Sequence, residues 1–364
     1  MQRRNLLVGA GALATLGLGG GALFEWQRAS AMADYRAATA RMRAALAVHP
    51  TLPELVRHAT LAANGHNTQP WRFRLAPGRI DILPDFARRT PAVDPDDHHL
   101  FVSLGGAIQN AAIAAAGQGI AGQVVIDAGG GGASLRLGDG ELAYAALAPA
   151  IARRQSSRTC YDGRPVPPAT LRALEAAAAE PGVSLALLTG RAPLAQVRDL
   201  VVAGNDAQMA DPAFVRELRR WLRFSPDRAL ALGDGLFSAC SGSPVAPEWL
   251  GRRLFDGFFT PAAERDRYAR QLASSAGVAI FVGASADPAH WMAVGRASQR
   301  FTLAATAAGL KCAYVNQPVE VARFRAALAW LAGLPGRRPD LLIRFGHGPA
   351  LPYSPRRPVR AVLA

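Results

Sequence analysis

Two short segments carry side chains suited to binding a phosphate group. Residues 153–158 read Arg-Arg-Gln-Ser-Ser-Arg, with arginines on both sides of a hydroxyl pair. Guanidinium groups bind phosphate oxygens in a bidentate manner, and a hydroxyl donor completes such a site. Residues 354–358, Ser-Pro-Arg-Arg-Pro, add a second arginine pair without a nearby acid. A solvated helix end and a basic tail are the alternative interpretations of these two segments.

A third segment is rich in side-chain amides. Residues 64–71 read Asn-Gly-His-Asn-Thr-Gln-Pro-Trp. Amide side chains offer paired donors and acceptors. These match the edge of a heterocycle with alternating C=O and N–H groups, such as the pyrimidine ring of a flavin. An Asn-rich turn that leads into a β-hairpin is the alternative interpretation.

Taken together, the three segments resemble the flavin mononucleotide (FMN) site of the nitroreductase family. In that family an R-x-S-x-R motif binds the phosphate, and Arg154, Ser156 and Arg158 match it. A loop of the form N-x-Q-P-W meets the isoalloxazine ring, and residues 67–71 match that loop. A late basic residue before a proline closes on the phosphate, which corresponds here to Arg357.

The resemblance implies a set of cofactor-binding residues. The segment expected near flavin N5 follows a helix that ends in A-x-x-x-G-L, and it covers residues 314–317. A backbone N–H near Asn316 or Gln317 then faces N5. Because the flavin supplies the redox chemistry, no side chain is assigned as a catalytic acid or base. The full predicted set is Asn64, Asn67, Gln69, Arg154, Ser156, Arg158, Asn316, Gln317, Arg356 and Arg357.

The order of the motifs and an internal repeat indicate two fused halves. In a single nitroreductase domain the phosphate motif comes first, whereas here it follows the N-x-Q-P-W loop. Residues 105–120 and 295–310 match at Gly, Ala, Gln, Ala-Ala and Gly at a constant offset of 190 residues, which indicates a duplicated unit. Family members are homodimers with flavin at the interface, so one chain that holds both protomers explains this order. Each half lacks one motif, which predicts a single complete flavin site per chain.

This arrangement resembles the fused Acg-like branch of the family, from about residue 50 to the C-terminus. It implies an α+β fold of two nitroreductase-like halves, an internal pseudo-dimer with mixed or antiparallel sheets flanked by helices, in a monomeric chain. The halves are expected at residues 32–150 and 151–364. Residues 211–262 combine an amphipathic helix with Gly-rich turns and aromatic clusters. They predict either a lid over a pocket or ordinary packing between domains.

Residues 1–31 are predicted to be a twin-arginine (Tat) export signal. Arg3 and Arg4 precede an apolar stretch rich in Ala and Gly, and Ala-Ser-Ala at 29–31 offers a cleavage pattern. The Tat machinery moves folded proteins, commonly those with an inserted cofactor, so the signal favours a bound redox cofactor and a periplasmic location. The stretch is also about long enough to span a bilayer, so an uncleaved membrane anchor is the alternative.

The composition excludes several other classes of function. Half of the 364 residues are hydrophobic, which is enough for a packed core. The formal charge is +14, but the arginines are scattered without a basic run or aromatic interleaving, so nucleic-acid binding is not predicted. Three separated cysteines without C-x-x-C or H-E-x-x-H offer no disulfide or zinc framework. His98 and His99 stand beside aspartates without a further ligand element, so no metal is assigned.

Two functions fit these observations best. The first is an exported FMN-binding oxidoreductase that reduces a small-molecule electron acceptor, such as a nitroaromatic or quinone. The second is an FMN-sequestering protein with little turnover, since nicotinamide cofactors are scarce outside the cytoplasm. An exported partner-binding protein with an inactive site is a third interpretation.

Overall fold

The computed structural model describes residues 28–127 and 129–364, and two four-stranded sheets organise this part of the chain. The predicted signal lies outside the described residues except for its last four, which are helical as part of α1, residues 28–42. The first half continues with α2 (Leu52–Ala59), β1 (Trp71–Ala76), β2 (Arg79–Pro84), α3 (His98–Ala116), β3 (Gly122–Ile126) and β4 (Ala133–Leu137). The second half contains α4 (Ala148–Arg153), α5 (Pro168–Ala178), β5 (Val183–Leu188), α6 (Arg191–Met209), α7 (Pro212–Trp221), β6 (Leu222–Arg223), α8 (Pro226–Leu232), β7 (Leu236–Phe237), α9 (Glu248–Phe258), α10 (Pro261–Ala273), β8 (Gly277–Gly283), α11 (Pro288–Ala307), β9 (Lys311–Tyr314), α12 (Gln317–Glu320), α13 (Arg325–Leu331) and β10 (Leu341–Gly346).

Alternating burial creates the first hairpin. Trp71 and Phe73 of β1 are buried, whereas Arg72 and Arg74 between them are exposed, which is the period of two that a strand with one buried face requires. The turn at 77–78 joins β1 to β2, and its glycine has a φ of +65°, which explains why glycine stands there. The hairpin predicted from this alternation is confirmed.

Both sheets have the same strand order. The first runs β1-β2-β4-β3 and the second β5-β8-β10-β9, with every neighbouring pair antiparallel. In each half a long helix, α3 or α11, connects the second strand of this order to the fourth. The halves differ after the first strand, where a two-residue turn in one corresponds to residues 189–276 in the other. The predicted α+β fold with two similar halves is confirmed, and the lid segment at 211–262 belongs to this insertion.

Helices α3 and α11 cross with their backbones in contact. A Cβ added to Gly105 would lie 2.0 Å from the carbonyl oxygen of Met292, and one added to Gly295 would lie 2.0 Å from that of Val102. These two contacts are equivalent by symmetry, because the offset of 190 residues relates Gly105 to Gly295 and Val102 to Met292. Such reciprocity is the mark of a two-fold axis, here within one chain. Helix α3 is apolar enough to span a membrane, but 89% of it is buried inside this core.

Side chains next to this crossing repeat the same symmetry. Gln109 accepts a hydrogen bond from Arg300 at 3.0 Å, and Gln299 donates to Asn110 at 2.8 Å. The offset of 190 residues relates Gln109 to Gln299 and Asn110 to Arg300. All four side chains are buried, so each amide satisfies a polar group that would otherwise be costly to bury.

Segments outside the strands extend one edge of each sheet. The C-terminal residues pair with the edge of the first sheet, since Phe73 donates to Val362 and accepts from Ala364, both at 2.8 Å. The segment that follows α4 pairs with the edge of the second sheet, where Ser157 donates to Cys312 at 2.9 Å. The boundary predicted between residues 150 and 151 falls inside α4, and the division of the chain into two halves stays a prediction.

We expect Gly105→Ala to destabilise the protein because the added methyl group meets a backbone oxygen that has no room to move. Overpacking of this kind costs about 1–3 kcal/mol, measured as the free energy of unfolding in urea. Gly257→Ala on α9 is the matched control, since nothing lies within 4 Å of its Cβ position. That control should be neutral or stabilising by roughly 0.5–1 kcal/mol. Equal stability of the two variants would contradict the proposed helix contact.

Candidate functional site

A cavity of about 600 Å³ lies between the two halves and the 189–276 insertion. Its volume is in the range of pockets that bind small molecules and cofactors. Short residues of the crossing helices form one wall, namely Ser103 and Gly106 of α3 and Gly295 and Ser298 of α11. Because these side chains are small, the cavity extends to the helix backbones at the pseudo-two-fold axis.

The insertion supplies an apolar wall. Phe255 and Phe259 of this wall stack with their ring centroids 4.5 Å apart, and Arg219 lies over Phe255. The segment predicted as a lid therefore borders the cavity, and its movement stays a prediction. The apolar lining residues from this segment are Phe214, Leu218, Leu222, Phe224, Leu236, Leu254, Phe255, Phe258 and Phe259.

A cationic part of the lining is formed by Arg158 with Ser156 and Arg267. Burial lowers the pKa of Arg158, and the neighbouring Arg267 lowers it further. Among residues 28–127 and 129–364, no carboxylate forms an ion pair with Arg158, whereas Arg267 pairs with Glu264. Arg158 is half-buried, and an anion bound beside its guanidinium would be stabilised by charge-assisted hydrogen bonds. Hydroxyl groups of three serines, Ser238, Ser241 and Ser243, also line the cavity.

The other three predicted arginines lie outside the cavity lining. Arg154 is buried and donates to the carbonyl oxygen of Leu61 at 3.0 Å. The guanidinium of Arg356 donates to Asn67 Oδ1 at 2.9 Å and to carbonyl oxygens of residues 60–62. Arg357 lies 3.8 Å from the carboxylate of Asp85. Arg356 thus holds the segment before the amide loop against the C-terminal tail, and Arg154 binds the same segment from the residues after α4.

The amides of the loop at 64–69 divide between two tasks. Asn67 donates to the carbonyl oxygens of Gly235 and Pro355 at 3.1 and 3.2 Å, and Gln69 donates to that of Gly233 at 2.8 Å. These contacts fasten the loop to the insertion and to the tail, so neither side chain lines the cavity. Asn64 and His66 line it instead.

The backbone of this loop adopts an unusual conformation at three positions. His66, Asn67 and Gln69 have φ values of +47°, +53° and +53°, a left-handed conformation that non-glycine residues seldom adopt. The Oδ1 of Asn64 accepts the backbone N–H of Gln69 at 2.9 Å and closes the turn. Several left-handed residues in one loop persist only where the surroundings hold them, and they are common at ligand sites.

Titratable side chains occupy another part of the lining. His99, Asn316, Gln317 and Glu320 all line the cavity, so the segment predicted to lie near flavin N5 is at the cavity wall. The neighbouring Asp94, His98 and His99 bring their ligand atoms within 4.8 Å of one another. Both carboxylate oxygens of Asp94 accept backbone N–H groups of the first turn of α3, at 3.0 Å each. Helix capping explains this cluster, and no metal is assigned to it.

Comparison with known proteins identifies the family of the chain. A protein of Mycobacterium tuberculosis, provisionally named an NAD(P)H nitroreductase and known from two strains, is 30% identical over 325 residues. The match covers 86% of this chain and 91% of that protein. This chain belongs to the nitroreductase family. No protein-family model matches the sequence.

Solved structures of other nitroreductases are more distant from this family member. The FMN-dependent nitroreductase of Mycobacterium smegmatis in complex with NADPH is 16% identical, covers 57% of this chain and 89% of its own, and has a TM-score of 0.34. A nitroreductase with bound FMN from Desulfitobacterium hafniense is 15% identical, covers 58% and 92%, and also has a TM-score of 0.34. The family assignment rests on the sequence relative.

The position symmetric to the cavity is filled in this nitroreductase. The offset of 190 residues maps Gly106 of the cavity wall onto Arg296. Arg296 and the buried Arg300 form ion pairs with Glu180 at 2.9 and 2.7 Å, and both donate to Gln109. A paired and hydrogen-bonded network therefore occupies the position that corresponds to Gly106 of the cavity wall. This geometry supports the prediction of one complete site per chain.

Sequence reasoning on this nitroreductase missed several lining residues. His66 stands inside the amide loop at 64–71 without a predicted role, and Glu320 follows the segment at 314–317 by three residues. Their side-chain types could have identified them as site residues, because imidazole and carboxyl groups next to a cofactor motif are candidates for proton transfer. Arg267 carried no signal, since it stands in an ordinary amphipathic helix and reaches the cavity only through the packing of the insertion.

Proposed function

We propose that this nitroreductase is an exported, FMN-binding oxidoreductase that holds one flavin between its halves and reduces a small-molecule acceptor. The observation that carries the proposal is Arg158, a half-buried arginine that lacks a carboxylate partner within the described residues and lines a cavity of about 600 Å³. An FMN phosphate would supply the missing negative charge. The NAD(P)H nitroreductase name of the Mycobacterium tuberculosis relative supports the redox role.

The residues present fit FMN in a definite way. Arg158 and Ser156 would hold the phosphate, with Arg267 as a second cation beside them. Asn64 and the segment at 316–317 would lie along the ring, where amide groups can match its polar edge. When bound, FMN supplies the transfer of hydride or electrons. The task of the chain is then to bind and orient, while the phenylalanines of the insertion exclude water.

A second function, FMN sequestration with little or no turnover, is favoured by one observation. Aromatic residues of the insertion, including Phe214, Phe255 and Phe258, cover one side of the cavity. If this wall does not open, a donor and an acceptor cannot reach the flavin. The scarcity of nicotinamide cofactors outside the cytoplasm points in the same direction.

Export and a monomeric state complete the proposal. The paired arginines and apolar stretch of residues 1–24 support transport by the Tat machinery to the periplasm, with an uncleaved membrane anchor as the alternative. The helix contact through which two protomers would pair is already made between α3 and α11 of one chain. Internal pairing of this kind supports a monomer.

We expect the purified protein to be yellow, with one FMN per 38.3 kDa chain in a monomeric species. Absorbance and sedimentation velocity measure both quantities. Anaerobic addition of NADPH should bleach the flavin if the protein is a working reductase. A flavin that stays oxidised with NADPH would favour sequestration or a donor of another class, and a colourless protein that cannot be loaded with FMN would overturn the proposal.

Arg158→Ala should weaken FMN binding about 10- to 150-fold, because a charge-assisted hydrogen bond contributes about 1.5–3 kcal/mol. Fluorescence quenching of added FMN measures the affinity. Arg153→Ala is the matched control, since Arg153 is an exposed arginine of the same segment and does not line the cavity. Unchanged affinity in Arg158→Ala would remove the phosphate assignment.

Replacing Arg3 and Arg4 together by lysine should keep the protein in the cytoplasm. The change preserves the charge of the segment, so it separates recognition by the Tat machinery from general electrostatic effects. Fractionation of cells that produce either form, followed by immunoblotting, gives the periplasmic share. A wild-type protein found only in the cytoplasm would refute export.

A further inference from the structure

Glu320 is a cavity-lining carboxyl group to which the proposed function gives no role. It is the last residue of α12, and its side chain is 18% exposed. Its Oε2 accepts a hydrogen bond from Gln208 Nε2 at 2.5 Å, and its Oε1 lies 3.9 Å from Nδ1 of His99. The other carboxylate of the described lining, Glu264, is neutralised by Arg267. Glu320 has no arginine or lysine partner among the described residues.

The orientation of Asn316 determines which nitrogen of His99 carries the proton. Asn316 Oδ1 accepts the backbone N–H of Leu342 at 2.9 Å, and a backbone N–H can only donate. The other end of the amide is therefore the Nδ2 donor, and it lies 3.4 Å from Nε2 of His99. A neutral imidazole that accepts at Nε2 carries its proton on Nδ1. The N–H of His99 thus faces the carboxyl group of Glu320.

The surroundings favour the protonated form of Glu320. Burial raises the pKa of Glu320, and the carboxylates of Asp94 and Glu217 raise it further, while His99 and the hydrogen bond from Gln208 lower it. Burial and the adjacent His98 lower the pKa of His99. Desolvation disfavours the charged form of each group. Desolvation therefore favours the carboxylic acid form of Glu320 and the neutral form of the His99 imidazole.

We propose that Glu320 donates a proton to the oxygen of the acceptor during its reduction, with His99 and Gln208 as positioning residues. This inference rests on the proposed function. Two-electron reduction of a quinone carbonyl or a nitro group needs a hydride, which the reduced flavin provides, and a proton. The O–H bond of Glu320 breaks as a new O–H bond forms on the acceptor, and its electron pair stays on Glu320 as a carboxylate.

The two neighbouring donors explain how the site tolerates that carboxylate. Gln208 Nε2–H already contacts one oxygen, and His99 Nδ1–H faces the other. Hydrogen bonds to a charged acceptor are stronger than those to a neutral one, so both contacts tighten after proton transfer. Solvent returns the proton to Glu320 when the product leaves. The acceptors that this site favours carry an oxygen that must be protonated as it is reduced.

Glu320→Gln tests the assignment, because the amide has the same shape but is not an acid. General acid catalysis contributes about 10²- to 10⁴-fold, and we expect a loss of that size in the rate of quinone or nitroaromatic reduction, with FMN affinity unchanged. In the wild type the rate should fall as the pH rises through the pKa of Glu320, since only the protonated form donates. The variant should lose this limb of the pH profile. Glu175→Gln, an exposed carboxyl of α5 outside the lining, is the control.

A second readout does not depend on activity. The infrared band of protonated side-chain carboxyl groups should be weaker in Glu320→Gln than in the wild type, with and without FMN, because one carboxyl group is lost. A wild type that binds FMN and reduces an acceptor, with Glu320→Gln retaining full rate and pH profile, would overturn the role of Glu320 alone. A carboxyl band of equal intensity in the two proteins at pH 5–7 would also overturn it. A wild type that binds no FMN would overturn the proposed function itself.

Discussion

The contact between α3 and α11 is the constraint on which the rest of the structure depends. Gly105 and Gly295 bring two helix backbones together so closely that any side chain would collide with a carbonyl oxygen. This crossing sets the two sheets in a pseudo-two-fold relation and places the short residues of both helices at the cavity wall. The site between the halves thus follows from the same small residues that hold the halves together, as in a homodimer whose interface has been built into one chain.

The two sides of the helix crossing are related by pseudo-two-fold symmetry, but they carry different side chains. Gly106 opens the cavity on one side, whereas its counterpart Arg296 fills the other side with the help of Arg300 and Glu180. The same asymmetry extends to the outer layer, because the 77–78 turn of the first half corresponds to the long insertion of the second. One half of the duplicated fold therefore has a short turn at this position, while the other carries the insertion that borders the cavity.

The elements of the fold were predictable from local patterns, but much of the site was not. The β1–β2 hairpin follows from a period of two, and the duplicated helices follow from matched small residues at one offset. Asn67 and Gln69 show the limit, because an amide that binds a ligand and an amide that binds backbone carbonyls have the same sequence signature. The carboxyl group of Glu320 and the imidazole of His99 are far apart in the sequence. Only the tertiary structure brings the end of α12 near the start of α3.

In this arginine-rich chain, the hydrogen bonds of a guanidinium group distinguish arginines that hold the fold together from an arginine that is available to a ligand. Arg344 and Arg356 are both buried, and each donates to several carbonyl oxygens, so their charges are solvated by the backbone. Arg158 is half-buried instead, its guanidinium makes no hydrogen bond or ion pair within residues 28–127 and 129–364, and the residue lines the cavity. Its donors are therefore free to bind an anionic ligand. This property distinguishes Arg158 from the arginines that the sequence could not tell apart from it.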